Sequence, residues 1–305
     1  MLDESKLASL RSHVRGVCYR MTGSVADADD LAQETLLRLV EKPPPREDDL
    51  RPWVTRVAVN LARDAYRRRR HAAYTGSWLP EPCPDEDDAI SFAFEPASTH
   101  ARYDLMESAS IAFLVALEAL SARQRAVLIL RDVLDYSVEE TAQALGTSAG
   151  AVKVTHHRAR HAMRDYDAAH ARENAPSAAP RVREVMGRFF TAVAAGDTAA
   201  LETMLAADVT LATDAAGEFT ANLRELSGAD RVVRFLFGVL RFHPAMKSST
   251  LMLNGRPAIV WSSAESKGRV PPRGTFHFDV GDDGRIRAIH GVVATAKLAA
   301  VPLSP

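Results

Sequence analysis

The sequence predicts a multidomain chain, with two all-helical domains followed by one α+β domain. Three observations carry that expectation. Apolar residues step at helical spacing through residues 1–170. Two capping boxes, Ser121 to Gln124 and Ser137 to Glu140, each open a helix in the second block. After Pro180 the apolar period shifts toward two, with the hairpin turn signals Asn254-Gly255 and Asp283-Gly284.

The first helix follows Leu7, Leu10, Val14, Cys18 and Met21 and stops at Thr22-Gly23-Ser24. A second is expected in VADADDLAQETLLRLVE, ended by Pro43-Pro44-Pro45. A third starts near Asp49, with Pro52 early and Trp53, Val57, Leu61 and Ala65 on its apolar face. In the second block, RQRAVLILRDV, VEETAQALG and SAGAVKVTHHRARHAM form a compact helical set with a break at Gly146. The third block opens with a helix through Val182, Val185, Met186, Phe189 and Val193, stopped by Gly196, and a second helix capped by Asp197. DVTLATD, STLMLNG, PAIVWSS, GTFHFDV and RIRAIHGVV follow as strands, with GADRVVRFLFGVL as a helix among them. Helices on a curved antiparallel sheet are the expected form. The boundaries expected are 1–73, an acidic linker 74–100, 101–170, a small-residue linker 171–180, and 181–305.

The chain has 305 residues and a formal net charge of −1, so whole-chain charge points to no partner. Its two cysteines, Cys18 and Cys83, stand in no CxxC or Cys/His spacing. A reduced protein with no metal or other cofactor is expected. No apolar run reaches membrane-span length, and the N-terminus lacks a signal-peptide core. A cytoplasmic protein without a membrane partner follows.

Local charge is sharply sorted. Arg67 to Arg70 are followed by Glu81, Asp85, Glu86, Asp87 and Asp88, with the apolar knot Trp78-Leu79-Pro80-Glu81-Pro82 between them. On one helix, Arg56, Asn60, Arg63, Arg67 and Arg70 line the face opposite the apolar stripe. Guanidiniums at that pitch can follow a phosphate backbone, and Trp53 can stack on an unpaired base. A solvated basic face is the plainer alternative. On the preceding helix Asp27, Asp30 and Glu34 share a face, with Asp29 beside them, a pattern that the helix dipole alone also favours. Acid and base on separate helices of one small domain suggest two partners of opposite charge.

SVEETAQALGTSAGAVKVTHHRAR has the proportions of a helix-turn-helix. Val152, His156, Ala159 and Met163 face inward, His156 as a satisfied, partly buried histidine. Lys153, His157 and Arg160 point outward with Thr155 and Arg158 at the flanks, as a major-groove reader requires, although an ordinary helical hairpin shares the pattern.

Taken together, YRMTGSVADADDLAQETLLRL and RPWVTRVAVNLARDAYRRRR resemble region 2 of the extracytoplasmic-function (ECF) group of sigma-70 factors, and LSARQRAVLILRDVLDYSVEETAQALGTSAGAVKVTHHRAR resembles region 4. Trp78 to Pro82 resembles the motif of the subgroup that carries a C-terminal SnoaL-like (NTF2-like) cone. The resemblance implies that Asp27, Asp29, Asp30, Gln33 and Glu34 dock on the clamp helices of the polymerase largest subunit, with region 4 at the flap. It implies −10 element binding by Trp53, Arg56, Asn60, Arg63, Arg67, Arg68 and Arg70. The −35 element falls to Lys153, Thr155, His157, Arg158 and Arg160. The acidic linker would thread a basic polymerase channel without competing for DNA. A regulatory set follows too: Trp78, Leu79, Pro80, Glu81, Pro82, Asp214, Gly217, Lys297 and Leu298. Two motifs depart from the subgroup. Asp214-Ala215-Ala216-Gly217-Glu218 keeps part of a DGGG-type loop and reverses the lysine after it, and Ala294 to Leu298 keeps only Lys-Leu of the usual tail.

The function so implied is promoter-specific transcription initiation with core RNA polymerase, tuned by the fused third domain, which is expected to pack on the exposed-looking knot at Trp78 to Pro82. An unidentified small ligand in that domain is a further expectation. A SnoaL-type cyclase or isomerase with a DNA-binding appendage would instead use acid–base groups such as Asp214, His243, His277 and His290, but no local motif joins them and no catalytic set is expected. A stand-alone helix-turn-helix repressor would leave the acidic helix unexplained.

Overall fold

A computed structural model describes residues 4–46, 49–87, 101–170, 178–243, 246–264 and 268–302. The expected linker beyond Asp87, Asp88 included, and residues 171–177 of the second linker lie outside these residues. The chain divides into two units: Met1–Ala73 with Asp85–Tyr166, and Tyr74–Pro84 with Asp167–Pro305.

In the helical unit, α1 (Glu4–Thr22), α2 (Val25–Glu41) and α3 (Leu50–His71) pack into a bundle. Gly23 takes φ +69°, and its N–H bonds the Tyr19 carbonyl, which ends α1. The Ser24 side chain then caps α2 through the Asp27 N–H. Pro52 sits in the first turn of α3, where a missing N–H leaves no helical bond unmade. Val14, Val17, Cys18, Ala28, Leu39, Val54, Val59 and Ala62 fill the core.

The second half of that unit contains α4 (Ile111–Ala116), α5 (Ala122–Leu128), α6 (Val138–Leu145) and α7 (Ala149–Ala162). Both expected capping boxes form. The helix expected through Val133 ends at Leu128 and continues as one wider π turn, Ile129–Val133. α8 spans Arg164–His170.

The C-terminal unit packs α9 (Ala178–Ala195), α10 (Thr198–Met204) and α11 (Ala229–Leu240) on one face of a six-stranded sheet. Its strands are β1 (Leu205–Asp214), β2 (Leu226–Ser227), β3 (Met246–Leu253), β4 (Arg256–Ser263), β5 (Arg273–Val280) and β6 (Ile286–Val292), in the order β2-β1-β6-β5-β4-β3. Asn254 and Gly255 both have positive φ, as the tight turn between β3 and β4 requires. The sheet is mixed rather than antiparallel, because β1 and β6 run parallel. α11 carries the chain from β2 to β3 without reversing it, and the hairpin reversals from β3 onward return β6 in the direction of β1. Phe189, Leu201, Val209, Leu211, Val232, Ile259, Trp261, Phe278 and Ile289 lie in the core between helices and sheet.

Candidate functional site

α2 buries Val25, Ala28, Ala32, Thr35 and Leu39, which leaves its other face free. Asp29, Asp30 and Gln33 are exposed there, and Glu34 is half-buried, paired with Arg38 at 2.8 Å. Leu37 and Val40, the latter 73% exposed, extend the same face. Asp29 grips the Arg15 guanidinium, which also pairs with Asp87 of the acidic segment. Burial raises the Asp27 carboxyl above its ordinary range, against the pull of Arg69.

α3 presents its cations in two ways. Arg67 and Arg68 are exposed, and Arg63 and Arg67 lie 3.6 and 3.8 Å from Asp64. Asn60, Arg69 and Arg70 are engaged within the unit. Asn60 Nδ2 donates to the Ala144 carbonyl at 3.0 Å, one of the last carbonyls of α6 and without a helical donor. Arg70 donates to the Glu118 carbonyl at 2.6 Å, and Tyr66 Oη to the Leu120 carbonyl at 3.2 Å. Arg69 and Arg125 both pair with the Glu118 carboxylate, at 2.7 and 2.6 Å. Arg69, Arg70 and Arg125 surround the Tyr66 ring, 4.8 to 5.9 Å from its centroid. Trp53 and Arg56 line a separate cleft with Tyr136 and Glu140.

The helix-turn-helix is built as its sequence suggests. Gly146 closes α6 at φ +60°, and Ser148 caps α7. Val127, Ala142 and Val152 form a small core between the helices. His156 Nε2 lies 2.8 Å from Asp132 on the π turn, which satisfies it on the inward face. Lys153, His157, Arg158 and Arg160 are exposed, whereas the Thr155 hydroxyl donates to the Ala151 carbonyl.

In the C-terminal unit, Tyr74–Pro84 forms a strap held at both ends. The fully buried Asp214 carboxylate accepts from Tyr74 Oη, the Leu79 N–H at 2.7 Å and Lys297 Nζ at 2.7 Å. Lys297 Nζ also donates to the Leu79 carbonyl and stands 4.2 Å from the centre of the Trp78 ring. At the other end the Cys83 N–H bonds Asn254 Oδ1, the Asn254 N–H bonds the Cys83 carbonyl, and Pro84 bridges Leu253. Leu79, Pro80 and Pro82 are buried, so the knot is not exposed, and Glu81 is half-buried. Gly217 takes φ +77°, and a Cβ there would stand 3.2 Å from Thr75. Leu298 is buried, and Arg269 donates to the Gly217 carbonyl. Tyr74, Glu118, Leu37 and Val40 were not singled out from sequence, Asn254 was read only as a turn residue, and Arg69 only as a member of the arginine run.

The four acid–base candidates do not converge. His243 lines a cavity of about 30 Å³ with Trp261, Phe276, Phe278 and Ile289 on the helical face of the sheet. His277 and His290, each next in sequence to one of those residues, pair across β5 and β6 on the opposite face. Burial lowers both, His277 to about 3. Asp214 is occupied by the strap.

Residues 7–72 match the family model for sigma-70 region 2, and residues 110–163 that for sigma-70 region 4. The chain is 36% identical to the ECF RNA polymerase sigma factor SigJ of Mycobacterium tuberculosis, over 80% of its own length and 76% of that protein. This chain belongs to the ECF sigma factor family. The sigma factor is also 34% identical to Mycobacterium tuberculosis SigG, over 79% of its length and 68% of that relative. A crystal structure of Mycobacterium tuberculosis SigJ matches it with a TM-score of 0.76 at 29% identity, covering 99% of this chain and 100% of that one. The sigma factor thus acts with RNA polymerase at promoters to initiate transcription and is not an enzyme, and its C-terminal unit is a SnoaL-like domain. Among the described residues no helix is long and apolar enough to cross a membrane.

Proposed function

We propose that the sigma factor meets its two partners on adjacent helices of region 2. The α2 face of Asp30, Gln33, Glu34, Leu37 and Val40 docks on the polymerase clamp helices, with Asp27 and Asp29 at its edge. Exposed carboxylates interleaved with exposed apolar side chains suit a protein partner better than a nucleic acid. Arg63, Arg67 and Arg68 take the −10 phosphates with Trp53 and Arg56 beside them, joined by Asn60 and Arg70 once their contacts inside the unit are released. Lys153, His157, Arg158 and Arg160 face the −35 element, Thr155 sits at the flank, and region 4 meets the polymerase flap. The protein works in the cytoplasm, where the polymerase is.

The regulatory reading rests on the strap. Two residues separate it from the end of α3, so the anchor on Asp214 and Lys297 restrains the chain leaving the proposed −10 helix. That convergence of Trp78, Leu79, Asp214 and Lys297 is the observation that best supports control by the SnoaL-like domain. Gly217 and Leu298 shape the loop and tail around it. The cavity beside Trp261, about 30 Å³, has room for about one water, so a small ligand would have to bind elsewhere on the C-terminal unit to act through it.

Run-off transcription with core polymerase tests the first part. Asp30→Lys with Glu34→Lys should abolish polymerase binding and leave the melting temperature within a few degrees. Unchanged polymerase affinity would remove α2 as the docking face. For the strap, transcription from a cognate promoter should change when residues after Ala178 are deleted. Equal output would end the regulatory reading.

A further inference from the structure

We propose that the helical unit holds a small polyphosphate anion in the cleft between α3 and the wall formed by α5 and the α6–α7 turn. Arg63, Arg67, Arg70 and His71 line it from α3, and Arg123 and Thr147 from the facing wall, around a volume of about 690 Å³. That volume falls in the range of small-molecule sites. None of the side chains lining the cleft is a carboxylate.

The nearby acids do not neutralise this cluster. Glu118 is taken by Arg69 and Arg125. Asp64 is a single charge, 3.6 and 3.8 Å from two of the arginines. The bonds that close the unit, from Asn60 to Ala144, Tyr66 to Leu120 and Arg70 to Glu118, bring the guanidiniums to a shared volume. Like charges gathered this way repel, and a bound anion offsets that repulsion. Arg123 donates to Thr147 Oγ1, which sets the facing wall.

Guanidinium forks bind phosphate oxygens bidentately. A chain of phosphates carries enough charge and length to engage both walls, whereas one phosphate reaches one. The anion fills the cleft while the unit is closed, and would oppose release of α3 for promoter DNA. That consequence rests on the −10 role proposed for α3, but the binding site does not.

Arg123 separates the two. It belongs to region 4 but is not among the residues assigned to promoter DNA or to the clamp helices. Isothermal titration of the full chain with inorganic tripolyphosphate, at fixed ionic strength, should show saturable one-to-one binding. Arg123→Glu should weaken it at least tenfold, and inorganic phosphate should bind at least tenfold more weakly than tripolyphosphate. Arg123→Gln, which keeps the helix without reversing charge, should weaken it severalfold and serves if the first variant misfolds. No saturable heat, or equal affinity in both Arg123 variants and the parent, overturns the site. So does a response that sodium chloride at matched ionic strength reproduces. In run-off transcription under identical magnesium, tripolyphosphate should inhibit the parent more than Arg123→Glu. If binding depends on Arg123 and inhibition does not, the site stands and the −10 assignment of α3 is what fails.

Discussion

The helical unit and the SnoaL-like unit hold their chain together by opposite uses of polar groups. Around α3 the contacts are dispersed: an amide on one carbonyl, a guanidinium on another, a phenol on a third. Each sits at a helix end or in a turn; the bonds of Asn60 and Arg70 lie where water can replace them, while that of Tyr66 is buried. Around Asp214 the contacts are concentrated. One carboxylate, shielded from solvent, meets a phenol, a backbone N–H and an ammonium. A dispersed set can open bond by bond, whereas a concentrated one fails when its centre is removed. The first arrangement suits the release for DNA proposed for α3, and the second suits an anchor.

The sharpest way to break this contrast is Asp214→Ala. It strands the Lys297 ammonium, only 10% exposed, without its counter-charge. Loss of one member of a buried pair typically costs about 3–5 kcal/mol. Denaturant unfolding should show that loss, and the Trp78 environment should change with it. A cost under about 1 kcal/mol would place the anchor among ordinary surface pairs.

Much of this was legible beforehand, and the remainder was hidden for identifiable reasons. α2 came out with its observed bounds because Ser24 and the proline run mark both ends. The capping boxes and Asn254-Gly255 have local chemistry and so were readable. Asp214, Leu79 and Lys297 were named through a family resemblance, but Tyr74, 140 residues from Asp214, offered no local signal. Arg69 looked like its neighbours in the arginine run, and only the fold shows that it points at Glu118 rather than at solvent. A period of two marks a strand without giving its direction, so the parallel pairing of β1 and β6 was not accessible. Leu37 and Val40 were readable as apolar residues off the buried stripe, and were passed over in favour of the carboxylates.

Acid treats the two units alike and gives a smaller effect. Burial depresses His13 in the helical unit to about 3, with Arg51 and Arg20 adding to it, and His277 in the SnoaL-like unit to about 3, with His290 adding to it. His290 is itself lowered, and Asp279, paired with His170, lies near it. In the window between about 3 and the ordinary value of 6.5, only the unfolded chain binds these protons. Stability is therefore present above pH 6.5 and lost as pH falls below it. Each histidine should contribute a loss of about 2 kcal/mol between roughly pH 6 and pH 4.5. His277→Gln should flatten the acid limb of the SnoaL-like unit and His13→Gln that of the helical unit, read by unfolding at stepped pH. Identical acid limbs in parent and variants would mean that neither histidine is buried neutral.

The smallest effect is expected at Asn60→Ala, and it sharpens the contrast most directly. The Ala144 carbonyl sits at the end of α6 and can turn to water once the amide is gone, so the loss should be about 1 kcal/mol. Amide exchange around Gly146 should quicken while the α1–α3 core stays protected, because the other contacts of α3 survive. Adding Arg70→Ala should increase the opening roughly additively, as independent contacts do. A loss above about 3 kcal/mol from Asn60 alone, or strong coupling with Arg70, would show a cooperative lock like that at Asp214. The α3 face would then need a trigger before it reached DNA, rather than opening by its own fluctuations.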